Sequence, residues 1–116
     1  MIRAASIALA TVLLAPSLAG AEPSEGALFR DWVRARCIAV AAGESPLAKD
    51  AAASAGAYVE RGNLPAAAYE AGEALIAAAL AKPASGTTSV RYDTLKCLEL
   101  ATSRDVARVL ARSRAK

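Results

Sequence analysis

YDTLKCLELATSRD, residues 92–105, carries one of the chain's two cysteines, Cys97, inside a short amphipathic segment. Leu95, Cys97, Leu98, Leu100 and Ala101 fall along one broad arc at helical spacing, with Tyr92, Lys96 and Glu99 opposite. Lys96 and Glu99 stand three apart and can pair, which places Lys96 on a solvent face. Thr102-Ser103-Arg104-Asp105 reads as a capping box opening a last helix that docks through Val106, Val109 and Leu110. The segment is helical, and what its cysteine is tied to organises the rest.

The other cysteine lies upstream on a helix of its own. Across residues 27–42, Phe29, Val33, Cys37 and Val40 recur at helical spacing beside Leu28, Trp32 and Ala39, while Arg30, Asp31, Arg34 and Arg36 take the other side. Residues 22–26 read as a mobile polar lead-in, and Gly43 as the stop. Ser45-Pro46 starts a second helix, because Ser accepts from the open amides and Pro at the first position gives up no hydrogen bond. That helix runs to about Arg61 and is rich in alanine, with Ala52, Ala55, Tyr58 and Val59 as its apolar stock, so it can approach a neighbour closely. A third runs from residue 65 to Ala81, burying Ala68, Gly72, Leu75, Ile76, Ala79 and Leu80, until Lys82-Pro83 ends it.

Composition agrees with this pattern. Alanine dominates, and Phe29, Trp32, Tyr58, Tyr69 and Tyr92 are all the aromatics, a balance that favours helix over strand. The class is all-α: a small bundle of about five helices without internal repeat or second domain.

Residues 1–21 form a distinct segment. Arg3 near the start, an apolar run over residues 7–14 and a small-residue end at Ala19, Gly20 and Ala21 make a secretory signal cleaved after Ala21. A membrane anchor needs about 20 continuous apolar residues, and Pro16 and Ser17 break the run first. The expected product is an exported periplasmic domain, residues 22–116, with no membrane span after cleavage. A domain of that size has a thin core and often needs a covalent staple. An even pair of cysteines in an exported chain reads as a disulfide, here Cys37–Cys97. Closing so long a loop contributes on the order of 4 kcal/mol in the chain-entropy account.

The chemistry within reach is narrow. The chain has no histidine, which removes Ser-His and Cys-His activation and histidine metal sites, and two disulfide-bonded cysteines hold no structural zinc. No catalytic residue, metal or cofactor is expected. The formal net charge is only +3, and the basic residues beyond Arg104 suit a helix C-terminus, so nucleic acid is not the expected partner. Glu70 and Glu73 are the one acid pair at suggestive spacing. They read as a solvated helix edge that an interface can use, since no further acid, histidine or ligand stands near them in sequence. Residues 82–90, KPASGTTSV, form the longest stretch without helical pattern in this domain. Its glycine and small hydroxyl residues can present bare backbone, and loops often carry binding function; it lacks the G-x-x-x-x-G-K pattern of a phosphate loop.

Several blocks resemble a known family. Phe29-x-x-Trp32-Val33 leading to Cys37-Ile38-Ala39, then Lys49-Asp50-Ala51, Ala57-Tyr58, Ala68-Tyr69-Glu70, Ser85-Gly86 and above all Lys96-Cys97-Leu98-Glu99-Leu100 with Ser103 beyond it, are similar to the type VI secretion amidase immunity proteins, the Tai family. The resemblance implies a periplasmic, all-helical inhibitor, often a homodimer, that neutralises a secreted cell-wall amidase of the papain-like cysteine peptidase kind. It also implies that the loop between the third and fourth helices enters or covers the toxin's cleft. Here that loop offers Lys82, Ala84, Ser85, Gly86, Thr87, Thr88 and Ser89. Where the family commonly has an aromatic after the K-C-L-x-L block, this chain has Ala101; Asp105 before Val106 keeps the family's acid. A small disulfide-stapled acid-stress chaperone is the alternative of equal size and helicity, and it would have to switch through carboxylates at low pH.

Overall fold

Three serines open three of the helices. The Ser24, Ser45 and Ser103 hydroxyls accept hydrogen bonds from the backbone N–H groups of Ala27, Ala48 and Val106 at 3.1, 3.1 and 3.3 Å, each satisfying an amide that the first helical turn leaves open. The computed structural model describes residues 4, 5, 7, 8, 10–13, 22–83, 86 and 89–114. It has five helices among them: α1 (Glu25–Ala41), α2 (Pro46–Arg61), α3 (Ala66–Ala81), α4 (Asp93–Ala101) and α5 (Arg104–Arg114). The all-α expectation holds, and Cys37 and Cys97 are joined, their Cα atoms 5.5 Å apart.

The first helix begins earlier than its periodicity suggests. Residues 22–26 are not a free lead-in, since Ser24 caps α1 and Glu25 and Gly26 lie in its first turn. Glu25 also reaches across the bundle, its Oε1 accepting from the Asn63 N–H at 2.9 Å ahead of α3. At the other end Val40, in the last turn and past the disulfide that joins α1 to α4, is exposed rather than buried. The last helix likewise takes its cap from Ser103, while the Thr102 hydroxyl turns back toward the Glu99 carbonyl.

α1 is the central element and packs on all four others; among the described residues α2 packs on α1 alone. Phe29, Trp32, Val33 and Cys37 of α1 are buried with Ile76 of α3, Cys97 and Ala101 of α4 and Val106 of α5. Phe29, Trp32 and Tyr69 form an aromatic cluster, the Trp32 ring stacked near Phe29 at 5.4 Å and edge-on to Tyr69 at 5.0 Å. Burial and the negative charge of Glu25 push the Tyr69 hydroxyl above its usual pKa. α3 lies close over this cluster because position 72 is glycine: a Cβ there would overlap Trp32 Cζ3 and meet Phe29 Cζ at 3.3 Å.

Two helices sit in a different register from the one expected. α2 buries Ala48, Ala51 and Ala55, leaving Ala52 and Val59 exposed. Alanine on all sides gives no periodic signal, and the i, i+3, i+7 row that meets α1 is fixed by packing alone. α4 buries Cys97, Leu100 and Ala101, while Leu95 and Leu98 stand half exposed. The bridge to Cys37 turns Cys97 toward α1, and on a helix of 3.6 residues per turn that rotates Leu95 to the opposite side. Ala101 is wholly buried against the core.

Candidate functional site

α3 stops because Pro83 bars the helical conformation at Lys82. Lys82 is extended at φ −65°, ψ 129°, with its N–H still donating to the Ala79 carbonyl. Beyond the loop α4 begins, its N-cap residue Tyr92 in the left-handed conformation at φ 55°. Between them Gly86 turns at φ +85° with no atom near the position of an added Cβ. Lys82, Pro83, Gly86 and Ser89 are exposed; Ala84, Ser85, Thr87 and Thr88 lie outside the described residues. The described residues of the candidate loop are thus exposed beside the end of α3 and the start of α4, and its base has a defined geometry.

That base is charged. Lys96 Nζ donates to the Lys82 carbonyl at 2.7 Å and reaches Asp93 Oδ1 at 3.4 Å. Arg91 Nε donates to Asp93 Oδ2 at 3.1 Å, and Arg91 Nη2 to the Leu80 carbonyl at 3.4 Å. Burial alone would raise the Asp93 carboxyl, but the hydrogen bonds and charges of Arg91 and Lys96 outweigh it and hold it below the usual carboxylate range. Lys96 is not the solvent-face partner of Glu99. Its side chain is only 15% exposed and bridges α4 to the end of α3.

The other candidates separate. Glu73 pairs with Arg36 of α1 at 2.5 Å, whereas Glu70 is exposed, so the two carboxylates do not form a joint site. Cys37 and Cys97 are wholly buried in their disulfide and present no thiol. Among the described residues no group of acids, cysteines or histidines converges to hold a metal, and no helix is long and apolar enough to cross a membrane.

Residues 27–110 match the family Tai4, described as a type VI secretion system (T6SS) amidase immunity protein. The chain belongs to that family. Two solved complexes contain similar chains. One, at 36% identity and TM-score 0.67, covers 75% of this chain and 90% of its own, and comes from the effector Tae4 of Salmonella typhimurium in complex with the immunity Tai4 of Enterobacter cloacae. The other, at 35% and 0.67, covers 76% and 90% and comes from the Tae4–Tai4 complex of Enterobacter cloacae. A chain of the Salmonella typhimurium Tae4/Tai4 system shares the fold at TM-score 0.70 and 23% identity. No curated protein matches.

Tai4 membership decides between the two readings the sequence offered, immunity by resemblance and the acid-stress chaperone as its alternative, in favour of immunity. A Tai4 protein is an extracytoplasmic binding protein and not an enzyme. Sequence reasoning singled out the loop as a candidate and missed the contacts at its base. The available signal was that α3 carries no basic residue in its last turn, while RYDTLK just past the loop brings an acid, Asp93, with one cation two residues before it and another three after.

Proposed function

We propose that this chain is the periplasmic immunity partner of a Tae4-type amidase and inhibits it by placing the loop of residues 82–90 in the enzyme's active-site cleft. The family match carries the first half of that reading, together with the likeness to chains from Tae4–Tai4 complexes. Support for the second half is the loop itself. Its described residues are exposed, it turns at a glycine facing open space, and its small hydroxyl residues suit a narrow polar cleft. Titrating the purified domain into a Tae4-type amidase acting on peptidoglycan stem peptides should abolish cleavage at stoichiometric amounts; undiminished cleavage in excess inhibitor would refute the proposal.

Export belongs to the same reading. The signal at residues 1–21 is removed after Ala21, leaving Glu22 as the first residue two positions before the Ser24 cap. Ile7, Val12 and Leu13 are exposed and add nothing to the core, as suits a segment the bundle does not need. N-terminal sequencing of periplasmic protein checks the site, with any other first residue counting against it. A homodimer completes the proposal. Tyr92, Leu95 and Leu98 leave an apolar strip exposed on α4, the kind of surface that pairs in solution, and light scattering should give twice the mass of the mature chain.

A further inference from the structure

We infer that Arg91, Asp93 and Lys96 are positioning residues for recognition of the effector: they clasp the two ends of the 82–90 loop so that its base is set before the partner arrives. The inference rests on the loop being the effector-binding element, and adds which residues make it competent.

A helix C-terminus leaves carbonyls without intrahelical partners and carries partial negative charge. α3 meets neither need from its own last turn, which has no basic residue. Both are met from across the loop. Arg91 donates to the Leu80 carbonyl and Lys96 to the Lys82 carbonyl, so each cation spans from the return side of the loop to its departure side. Asp93 stands between them, one carboxylate oxygen on each cation at 3.1 and 3.4 Å. A single carboxylate thus holds two cations, and the two cations hold the end of α3.

The clasp is mounted on a fixed point. Lys96 adjoins Cys97, which the disulfide ties to α1, so the ammonium is carried on a helix that cannot slide relative to the bundle. Arg91 is 69% exposed and contributes less as an ion pair than as a strap. Lys96, at 15% exposure, is too enclosed to be a main contact for a docking protein. Its hydrogen bond to a backbone carbonyl is charge-assisted and therefore among the stronger kinds. A loop whose ends are fixed loses less freedom on binding, and partner affinity rises with the fraction of molecules already competent.

Lys96→Met keeps the side-chain stem and removes the ammonium; Asp93→Asn keeps the shape and removes the charge. Ala55→Gly, on the helix that packs only on α1, lowers stability away from the loop. Each is compared with the parent by amide hydrogen exchange over residues 83–91 in the free protein and by the Kd for a Tae4-type amidase. Both clasp variants should speed exchange in that segment and raise Kd by about tenfold, the scale of one hydrogen bond to a charged group. Ala55→Gly should lower Tm at least as far and leave Kd unchanged. Unchanged exchange in the clasp variants, faster exchange without loss of affinity, or a Kd that follows Tm across all three would overturn the inference. A variant with Ser85, Thr87 and Thr88 replaced by glycine, run alongside, separates the two ideas. If that variant binds normally, the loop reading fails; if it alone loses binding, only the clasp does.

Discussion

At Gly72 the helix propensity of the residue and the packing around it point in opposite directions. Alanine in a helix interior is favoured over glycine by about 1 kcal/mol, yet a methyl group there would overlap the Trp32 ring. Overpacking costs about 1–3 kcal/mol, so Gly72→Ala should lower stability in denaturant unfolding, and a rise in the midpoint would contradict the close approach of α3 to α1. Tyr92 is the converse case. It holds φ 55° with its ring half exposed and no side-chain cap for α4, a conformation that asparagine tolerates better. Tyr92→Asn should raise stability by up to about 1 kcal/mol, measured the same way, and a fall would show that the ring packs more than its exposure suggests. Gly72 was legible as a buried position from its place in the third helix's apolar arc. The backbone strain at Tyr92 was not, because no local rule asks for a positive φ at an aromatic residue.

At the scale of elements, periodicity together with cap and breaker residues located the five described helices, and the errors concern which way a helix faces. α2 could not be oriented because alanine is apolar on all sides. α4 was rotated by its disulfide, so Leu95 and Leu98 came out to solvent and Lys96 went in. The clasp that results should respond to acid. Asp93 titrates below the ordinary carboxylate value in the folded chain, so its contribution is complete above the unfolded value and is lost as pH falls through the folded one. The exchange difference between the parent and Asp93→Asn over residues 83–91 should therefore persist unchanged from pH 7 to about 5 and close below about 4. A difference that closed between pH 5 and 7 would assign the effect to another group.

The whole molecule is a bundle hung on one helix and one covalent bond. α1 touches all the others, and Cys37–Cys97 ties its C-terminal part to the short helix behind the loop, across 60 residues of sequence. Reduction should add 2 Da, the two hydrogens gained when a disulfide opens. The paired Cys37→Ser and Cys97→Ser variant should lose on the order of 4 kcal/mol in unfolding free energy; a loss under about 1 kcal/mol would mean that the unfolded chain is already constrained. This much was legible from two cysteines behind a signal-like segment, because compartment chemistry decides the state of such a pair. The base of the loop was not, since it depends on how the start of α4 meets the end of α3. The most direct measurement is the Kd of a Tae4-type amidase for the parent domain and for the variant with Ser85, Thr87 and Thr88 replaced by glycine. Inhibition by the loop predicts a loss of affinity of a hundredfold or more, about 2.7 kcal/mol, with Tm unchanged; equal Kd values for the two proteins would contradict it.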